Sequence, residues 1–317
     1  MAPPGWCTNL LRAARITPGE RVLVVVDEPL AREGRELART LQATGAVAAL
    51  ALWRGERPLE HAPEAVLAAA ADADVCLHLQ QEPLGEEAAA RVELLGAVSD
   101  HEGRTIFMGF VDGELLRGDL SQPAPDLEAE ARALLAELDG AKELRLRGRA
   151  GTDLTLRVEG RTFLSDATPL EPGGVANFPG GEVYVAPLED GVDGVLVADL
   201  TVPYTVAGLV DEPVVLRFER GRVVAIEGGQ AASLLRDLVE SAGPGADVIA
   251  ELGIGIYPGL PPRGHVMLDE KSAGTAHVAI GRNTGHGGVN EASIHVDCVF
   301  SGPELEVDGR SVSLPSE

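Results

Sequence analysis

Two polar side chains interrupt the apolar segment SIHVDCVF, where His295 and Asp297 are separated by one residue. In a β-strand, residues i and i+2 point to the same face of the sheet, so this spacing places an imidazole beside a carboxylate. Such a pair can bind one divalent cation or two adjacent ones. A core histidine that is hydrogen-bonded to an aspartate has the same pattern, so the pair alone does not establish a metal site.

Three further segments place ionisable residues inside apolar runs that are typical of buried strands. His277 lies in GTAHVAIG, Glu251 lies in VIAELGIG, and Glu182 begins the apolar part of NFPGGEVYVAP. A buried carboxylate without a partner costs several kcal/mol, so these acids require a cation, and Arg263 and Lys271 are candidates. Three acids and two histidines in such positions are better explained by a metal site. Oxygen and imidazole ligands without thiolate suit Zn²⁺, Co²⁺, Mn²⁺, Mg²⁺ or Fe²⁺.

The elements that must position these residues differ between the two parts of the chain. In residues 1–140, Ala/Leu/Glu-rich segments of helical spacing alternate with four short apolar runs, at 21–29, 46–53, 74–80 and 104–110. This order predicts an α/β domain with a mainly parallel sheet and helices on its faces. The segment SQPAPD is a predicted linker, and one more predicted helix follows it.

In residues 141–317, short predicted strands alternate with turns that are rich in Gly, Pro and Asp. The segment PVVLRFERGRVVAIEGG predicts a hairpin with ERGR at its tip, and residues 232–243 have the pattern of a helix. We therefore predict a β-rich α+β domain over this part of the chain, and it contains the candidate metal ligands.

Charge and composition exclude several classes of function. The 317 residues include 50 acidic and 26 basic side chains, so the formal net charge is −24. A protein this acidic, without a basic run, is expected to bind neither nucleic acid nor an anionic membrane surface. Three well-separated cysteines form no CxxC pair and predict reduced thiols rather than disulfides or a thiolate zinc site. The sequence shows neither a signal-peptide pattern nor about 18 consecutive apolar residues, so we predict a cytoplasmic protein.

Four segments carry a family resemblance: NFPGGEVYVAPLEDGVDG, AELGIGIYPG, LDEKSAGTAHVAIG and GGVNEASIHVD. In order, in local sequence and approximately in spacing, they resemble the thermophilic aminopeptidase T/aminopeptidase S family of metallopeptidases. Members of that family are dimeric exopeptidases that use two divalent metal ions. The resemblance implies a homodimeric aminopeptidase that removes N-terminal residues from short peptides, with a carboxylate that bridges two ions. The implied metal ligands are Glu182, Glu251 as the bridge, His277, His295 and Asp297.

The chain departs from this family in two places. The connection between the HxAxG and HxD segments is short, RNTGHGGVNEASI, and Thr284 stands near the position of a functional tyrosine of the family. The first half is also shorter than in the aminopeptidases. In this respect the chain resembles the 2,5-dihydroxypyridine 5,6-dioxygenases, which share the fold but use one Fe²⁺ bound by two histidines and one carboxylate. His277, His295 and Asp297 can supply that set.

The number of ligands favours the two-metal hydrolase. Ring cleavage with one Fe²⁺ has no use for two additional buried glutamates, whereas two metals about 3.5–4 Å apart require bridging carboxylate charge. We therefore predict a metallo-aminopeptidase with two Zn²⁺, Co²⁺, Mn²⁺ or Mg²⁺ ions, in which Glu251 is catalytic. His286 or Glu270 is predicted to transfer the proton to the leaving amine, although TGHGGVN is also typical of an exposed loop. The alternatives are a mononuclear Fe²⁺ dioxygenase acting on dihydroxylated pyridines or catechols, and a non-catalytic protein that binds a metal or a small molecule.

Overall fold

The computed structural model describes residues 2–81, 83–167 and 169–316. The α-helices among them are α1 (Gly5–Ala13), α2 (Ala31–Ala43), α3 (Glu64–Ala70), α4 (Ala88–Ser99), α5 (Gly113–Arg117), α6 (Glu128–Leu138), α7 (Gln230–Ala242) and α8 (Val266–Asp269). The strands are β1 (Arg21–Val26), β2 (Val47–Leu52), β3 (Val75–Leu79), β4 (Arg104–Met108), β5 (Glu143–Arg147), β6 (Asp153–Arg157), β7 (Leu164–Ser165), β8 (Val175–Asn177), β9 (Glu182–Val185), β10 (Val192–Ala198), β11 (Val214–Glu219), β12 (Arg222–Glu227), β13 (Ile249–Gly255), β14 (Thr275–Gly281), β15 (His295–Ser301), β16 (Glu304–Val307) and β17 (Arg310–Val312).

The chain divides into two compact units. The first consists of the residues up to Asp126 together with Pro169–Gly180, and the second contains the other described residues. The sheet of the first unit has the strand order β2-β1-β3-β4-β8, and neighbouring strands run parallel. Five of the six residues of β1 and all five of β3 are buried, as expected where helices cover both faces of a parallel sheet.

The predicted parallel sheet is therefore confirmed, and it has one strand that the sequence pattern did not indicate. This strand, β8, has only three residues and lies far along the chain from the other four. It pairs with β4, where Thr105 is opposite Val175. A strand of this length has too few residues to show an apolar periodicity, and its pairing with β4 makes the segment part of the first unit.

The second unit contains two antiparallel sheets within the described residues. One has seven strands in the order β12-β11-β10-β6-β5-β16-β17, and the other has five in the order β15-β14-β13-β9-β7. In β5 and β6, buried leucines alternate with more exposed polar residues, because one face of this sheet packs on the hydrophobic core. By contrast, β13 and β14 are buried at all seven positions. Both faces of the five-stranded sheet are therefore covered at its centre.

Two local predictions for the second unit are also confirmed. The predicted hairpin is formed by β11 and β12, and the predicted helix at 232–243 corresponds to α7. At the tip of the hairpin, Arg220 and Gly221 have positive φ angles of 48° and 74°. These angles fit the tight connection between two antiparallel strands, where glycine is favoured.

The described residues also show the state of the cysteines and the length of the helices. Cys7, Cys76 and Cys298 are buried free thiols, and burial raises the pKa of Cys7 and of Cys76 to about 12. In the part of the chain that the structure describes, every helix is too short or too polar to cross a membrane.

Candidate metal centre

The predicted ligands lie on four neighbouring strands of the five-stranded sheet. These positions are Glu182 on β9, Glu251 on β13, His277 on β14, and His295 and Asp297 on β15. The register of the antiparallel strands places all five side chains on one face of the sheet. Alternate residues of β13 and β14, such as Leu252 and Val278, point to the opposite face and belong to the hydrophobic core. The same strands thus form the core on one side and the candidate site on the other.

Small residues between the ligands leave room on this face. In the register, Ala279 of β14 lies between Glu251 and Asp297, and Gly253 of β13 lies opposite His277. A Cβ atom on Gly253 would lie only 2.0–2.8 Å from atoms of the His277 ring. The ring rests directly on the backbone of β13, so the ring can keep this place only when residue 253 is glycine.

We predict that Gly253→Ala displaces His277 without preventing folding, because the φ angle at this position suits any residue and the neighbouring core is unchanged. The affinity for a divalent metal should fall by about 10- to 100-fold, the usual effect of losing the support of a ligand. A competition titration with a chelator measures this affinity. Gly96→Ala is the matched control, because a Cβ atom there meets no atom within 4 Å. An unchanged affinity in Gly253→Ala would contradict the prediction.

Glu251 lies between two histidines. One of its carboxylate oxygens, Oε1, is 3.5 Å from Nε2 of His277, and the other, Oε2, is 3.2 Å from Nε2 of His295. Nε2 of His277 also lies 3.7 Å from Glu182 Oε2 and 3.9 Å from Asp297 Oδ1. Nε2 of His295 lies 3.1 Å from Asp297 Oδ1. The nitrogen and oxygen atoms of the five residues therefore converge on one small volume.

The backbone sets the orientation of the His295 ring. Nδ1 of His295 donates a hydrogen bond of 2.7 Å to the carbonyl oxygen of Arg282, which can only accept. In the neutral ring, Nε2 then carries a lone pair that points toward Glu251 and Asp297. Burial lowers the pKa of His295, but these two carboxylates outweigh it and raise the pKa well above its ordinary value. The carboxylates thus favour a positive charge at this nitrogen, either a proton or a metal ion.

A fully buried lysine supports the carboxylates from the other side. Nζ of Lys271 contacts Oε1 of Glu182, lies 3.0 Å from Glu270 Oε1, and lies 3.1 Å from Asp166 Oδ2. Because the lysine holds Oε1 of Glu182, the other oxygen, Oε2, is left facing His277. This Oε2 atom is buried and has no hydrogen-bond partner among the described residues. A buried carboxylate oxygen without a partner is costly, and a bound cation would satisfy it.

The residues present therefore fit a divalent cation. In three sets of residues, the possible ligand atoms of each set lie within 4.8 Å of one another, and every set combines carboxylate with imidazole. These donors are those that Zn²⁺, Mn²⁺, Co²⁺ and Fe²⁺ accept. The three sets are Glu251, His286 and His295; Glu182, Glu251 and His277; and Glu270, His277 and Asp297.

The structure places the half-buried side chain of His286 beside this site, although its neighbours Gly285 and Gly287 are exposed. It lies in the short helical turn Thr284–His286, and its Nε2 is 3.4 Å from Oε2 of Glu251. Its ring stacks on that of His295 with 5.1 Å between centroids, and the ring of Tyr184 meets it edge to face at 5.5 Å. Burial lowers the pKa of His286, which favours the neutral imidazole.

Two residues that lie beside the site, Tyr184 and Asp166, were missed in the sequence. A third residue, Asp269 of the segment LDEKSAG, holds a loop in place. Tyr184 was detectable, since it lies two residues after Glu182 in a strand and must share its face. Asp166 lies in a turn after β7 and has no pattern that marks it, although its Oδ1 accepts hydrogen bonds from the backbone N–H groups of Gly181 and Glu182. Asp269 is fully buried and accepts from the backbone N–H groups of residues 263–265, so it shapes the loop before α8.

Comparison with known proteins identifies the family. Residues 125–313 match the model of the thermophilic metalloprotease family M29, and this match covers more than half of the chain. The chain belongs to the M29 family. The family resemblance of the four sequence segments is thereby confirmed.

Curated relatives of this M29 chain match over part of their length. Aminopeptidase AmpS from Bacillus subtilis (strain 168) is 29% identical over 182 residues, which are 50% of this chain and 43% of that protein. Aminopeptidase T from Thermus thermophilus is 29% identical over 225 residues, which are 61% of this chain and 52% of that protein. The 2,5-dihydroxypyridine 5,6-dioxygenase from Pseudomonas putida is 27% identical over 214 residues, 62% of this chain and 61% of that protein. The chain thus spans about half the length of the curated relatives it matches.

Solved structures show the same fold over nearly the whole chain. The 2,5-dihydroxypyridine dioxygenase from Pseudomonas putida KT2440 superposes with a TM-score of 0.75 at 20% identity and covers 98% of this chain and 94% of that one. Wild-type AmpT from Thermus thermophilus gives a TM-score of 0.70 at 22% identity and covers 97% and 96%. At these identities the likeness establishes the fold, and the chemistry has to be argued from the site.

Proposed function

We propose that this M29 protein is a metal-dependent aminopeptidase with a dinuclear centre. The supporting observation is the position of Glu251, whose two oxygens lie 3.5 Å from Nε2 of His277 and 3.2 Å from Nε2 of His295. A carboxylate between two imidazoles is suited to bridge two divalent ions about 3.5–4 Å apart. Glu182 and His277 would hold one ion with it, and His295 and Asp297 would hold the other.

The charge of the centre also favours two ions. The site contains five carboxylates and one lysine, so four negative charges remain when all the carboxylates are ionised and the histidines are neutral. Two divalent ions balance that charge, whereas one ion leaves two negative charges in a largely buried site, where uncompensated charge is costly. The five acids are Asp166, Glu182, Glu251, Glu270 and Asp297, and the lysine is Lys271.

The chemistry that follows is hydrolysis of a peptide bond. Divalent ions held by these residues would supply an acidified water as nucleophile and would polarise the scissile carbonyl. His286 lies beside Glu251, and burial lowers its pKa, which favours the neutral imidazole. A neutral imidazole at this place can take up a proton and pass it to the leaving amine. Short peptides with a free N-terminus are the proposed substrates, and the supporting observations are the M29 match and the similarity to aminopeptidases AmpS and T.

A second candidate function is cleavage of a dihydroxylated aromatic ring by one Fe²⁺. The structure contains two sets of two histidines and one carboxylate that could support it. One is Glu251, His286 and His295, and the other is the set predicted from sequence, His277, His295 and Asp297. A single ion leaves uncompensated negative charge in the site, so we rank this function below peptide hydrolysis.

Metal counting combined with two assays tests the proposal. We expect two equivalents of Zn²⁺, Co²⁺ or Mn²⁺ per chain and cleavage of peptides with a free N-terminus. The same peptides with an acetylated N-terminus are the control and should not be cleaved. One Fe²⁺ per chain with oxygen uptake on 2,5-dihydroxypyridine would establish the dioxygenase instead, and no tight metal would indicate a non-catalytic binding protein.

The predicted homodimer is proposed as the assembly, and light scattering during gel filtration tests it.

A further inference from the structure

The connection between β14 and β15 carries His286 and is held by a polar cluster outside the metal centre. Oε1 of Glu189 accepts hydrogen bonds from the backbone N–H of Val289, at 2.8 Å, and from the side-chain amide of Asn283, at 2.9 Å. Its other oxygen, Oε2, is paired with the guanidinium of Arg161. Glu189, Arg161 and Asn283 are called the loop clamp below.

The loop clamp reaches the turn of His286 directly. The backbone carbonyl of Asn283 accepts from the backbone N–H groups of His286, at 2.9 Å, and of Gly288, at 3.0 Å. The guanidinium of Arg161 donates to the carbonyl oxygen of Gly287, the residue after His286. Asn283 is fully buried, so the hydrogen bonds of its side chain are shielded from water.

The composition of the loop explains why it needs such support. Gly285, Gly287 and Gly288 flank His286, and glycine loses more conformational entropy on ordering than any other residue. At Gly288 the loop backbone lies directly against the Asn283 side chain, because a Cβ atom there would lie 2.1 Å from that side chain. The order of this segment therefore depends on the loop clamp rather than on its own backbone preferences.

We propose that Glu189 is a positioning residue that holds His286 against Glu251. Glu189 bonds the loop on both sides of His286, at Asn283 and Val289, and pairs with Arg161, which bonds Gly287. These bonds hold the loop in the position that places Nε2 of His286 3.4 Å from Oε2 of Glu251. The catalytic part of this inference rests on the proposed function, because it requires that His286 takes part in peptide hydrolysis.

Hydrogen exchange measures the positioning itself and needs no activity. Glu189→Ala removes both acceptor oxygens, and we expect the backbone amides of residues 283–290 to exchange at least about tenfold faster. Glu189→Gln keeps one acceptor for Asn283 and Val289 and should give an intermediate rate. Glu306→Ala is the matched control, since it breaks a comparable half-buried ion pair with Arg147 on the other sheet. That variant should leave the exchange of 283–290 unchanged.

A double-mutant cycle on peptide turnover tests whether Glu189 acts through His286. We expect Glu189→Ala to lower kcat by about 10- to 100-fold with little change in KM, the usual range for a residue that supports the site. In the His286→Ala background the same substitution should change kcat by less than about twofold, because the residue it positions is gone. Glu189→Gln should retain more turnover than Glu189→Ala.

Three results would overturn the inference. These are an unchanged exchange rate in Glu189→Ala, an equal loss of kcat in both backgrounds, and a crystal structure of Glu189→Ala with His286 in its original place. If the unmodified protein does not cleave peptides, the proposed function fails. In that case hydrogen exchange and the crystal structure still decide whether Glu189 positions the loop.

Discussion

The substitution Glu251→Gln is expected to abolish peptide turnover and to reduce the bound metal from two equivalents per chain to one or none. The amide has one neutral oxygen in place of a bridging anion, so it cannot hold two ions between His277 and His295. Loss of metal-based stabilisation of the transition state costs several kcal/mol, which corresponds to about a thousandfold or more in kcat. Metal analysis after gel filtration and a peptide cleavage assay measure the two effects.

A matched control for Glu251→Gln is Glu240→Gln, which changes an exposed glutamate on α7 of the same unit. It should retain full metal content and full turnover. If Glu251→Gln also retained both, the dinuclear centre built around Glu251 would be excluded.

The second large effect is expected from Lys271→Met. This substitution removes the buried cation that contacts Asp166, Glu182 and Glu270, and leaves the carboxylates without the lysine's positive charge. Removing one partner of a buried ion pair usually costs about 3–5 kcal/mol, so the free energy of unfolding of the metal-free protein should fall by about this amount. Urea unfolding in the presence of a chelator measures it. Because a divalent ion restores part of the lost positive charge, added metal should stabilise Lys271→Met more than the unmodified protein.

Lys142→Met is the natural control, since Lys142 and Lys271 are the lysines of the sequence. Lys142 pairs with Glu159 at 3.1 Å, but both side chains are about two-thirds exposed. An exposed ion pair contributes about 0–1 kcal/mol, so this variant should unfold at nearly the same urea concentration as the unmodified protein. Equal stability of the two lysine variants would show that Lys271 has no structural importance.

Local sequence patterns predicted much of the candidate site. An apolar run with a polar residue at every second position identifies which residues share a face, as with His295 and Asp297 on β15. The same rule points from Glu182 to Tyr184, although Tyr184 was not singled out in the sequence. The role of the predicted residues as metal ligands stays a prediction, and the structure adds that their side chains converge on one volume.

Other neighbours of the site were not predictable, because they come from distant parts of the chain. Asp166 lies in a turn without a recognisable pattern, yet it pairs with Lys271 more than a hundred residues later. Glu189 hydrogen-bonds to Asn283, 94 residues away. A glutamate in the segment PLEDGVDG has the local sequence of a solvated turn, so its contact with the loop of His286 is visible only in three dimensions.

The sequence by itself determined the strands that carry the predicted ligands, the face that His295 shares with Asp297, and membership in the M29 family, because each depends on short segments and their order. Only the tertiary structure decided the strand register, which brings Glu251 between His277 and His295 and sets the His277 ring on Gly253. It also decided that β8 joins the parallel sheet and that the β14–β15 connection places the His286 ring 3.4 Å from Glu251. The physical reason is that register and strand order arise from packing and hydrogen bonding between distant segments. The periodicity of one segment does not indicate which other segment it pairs with.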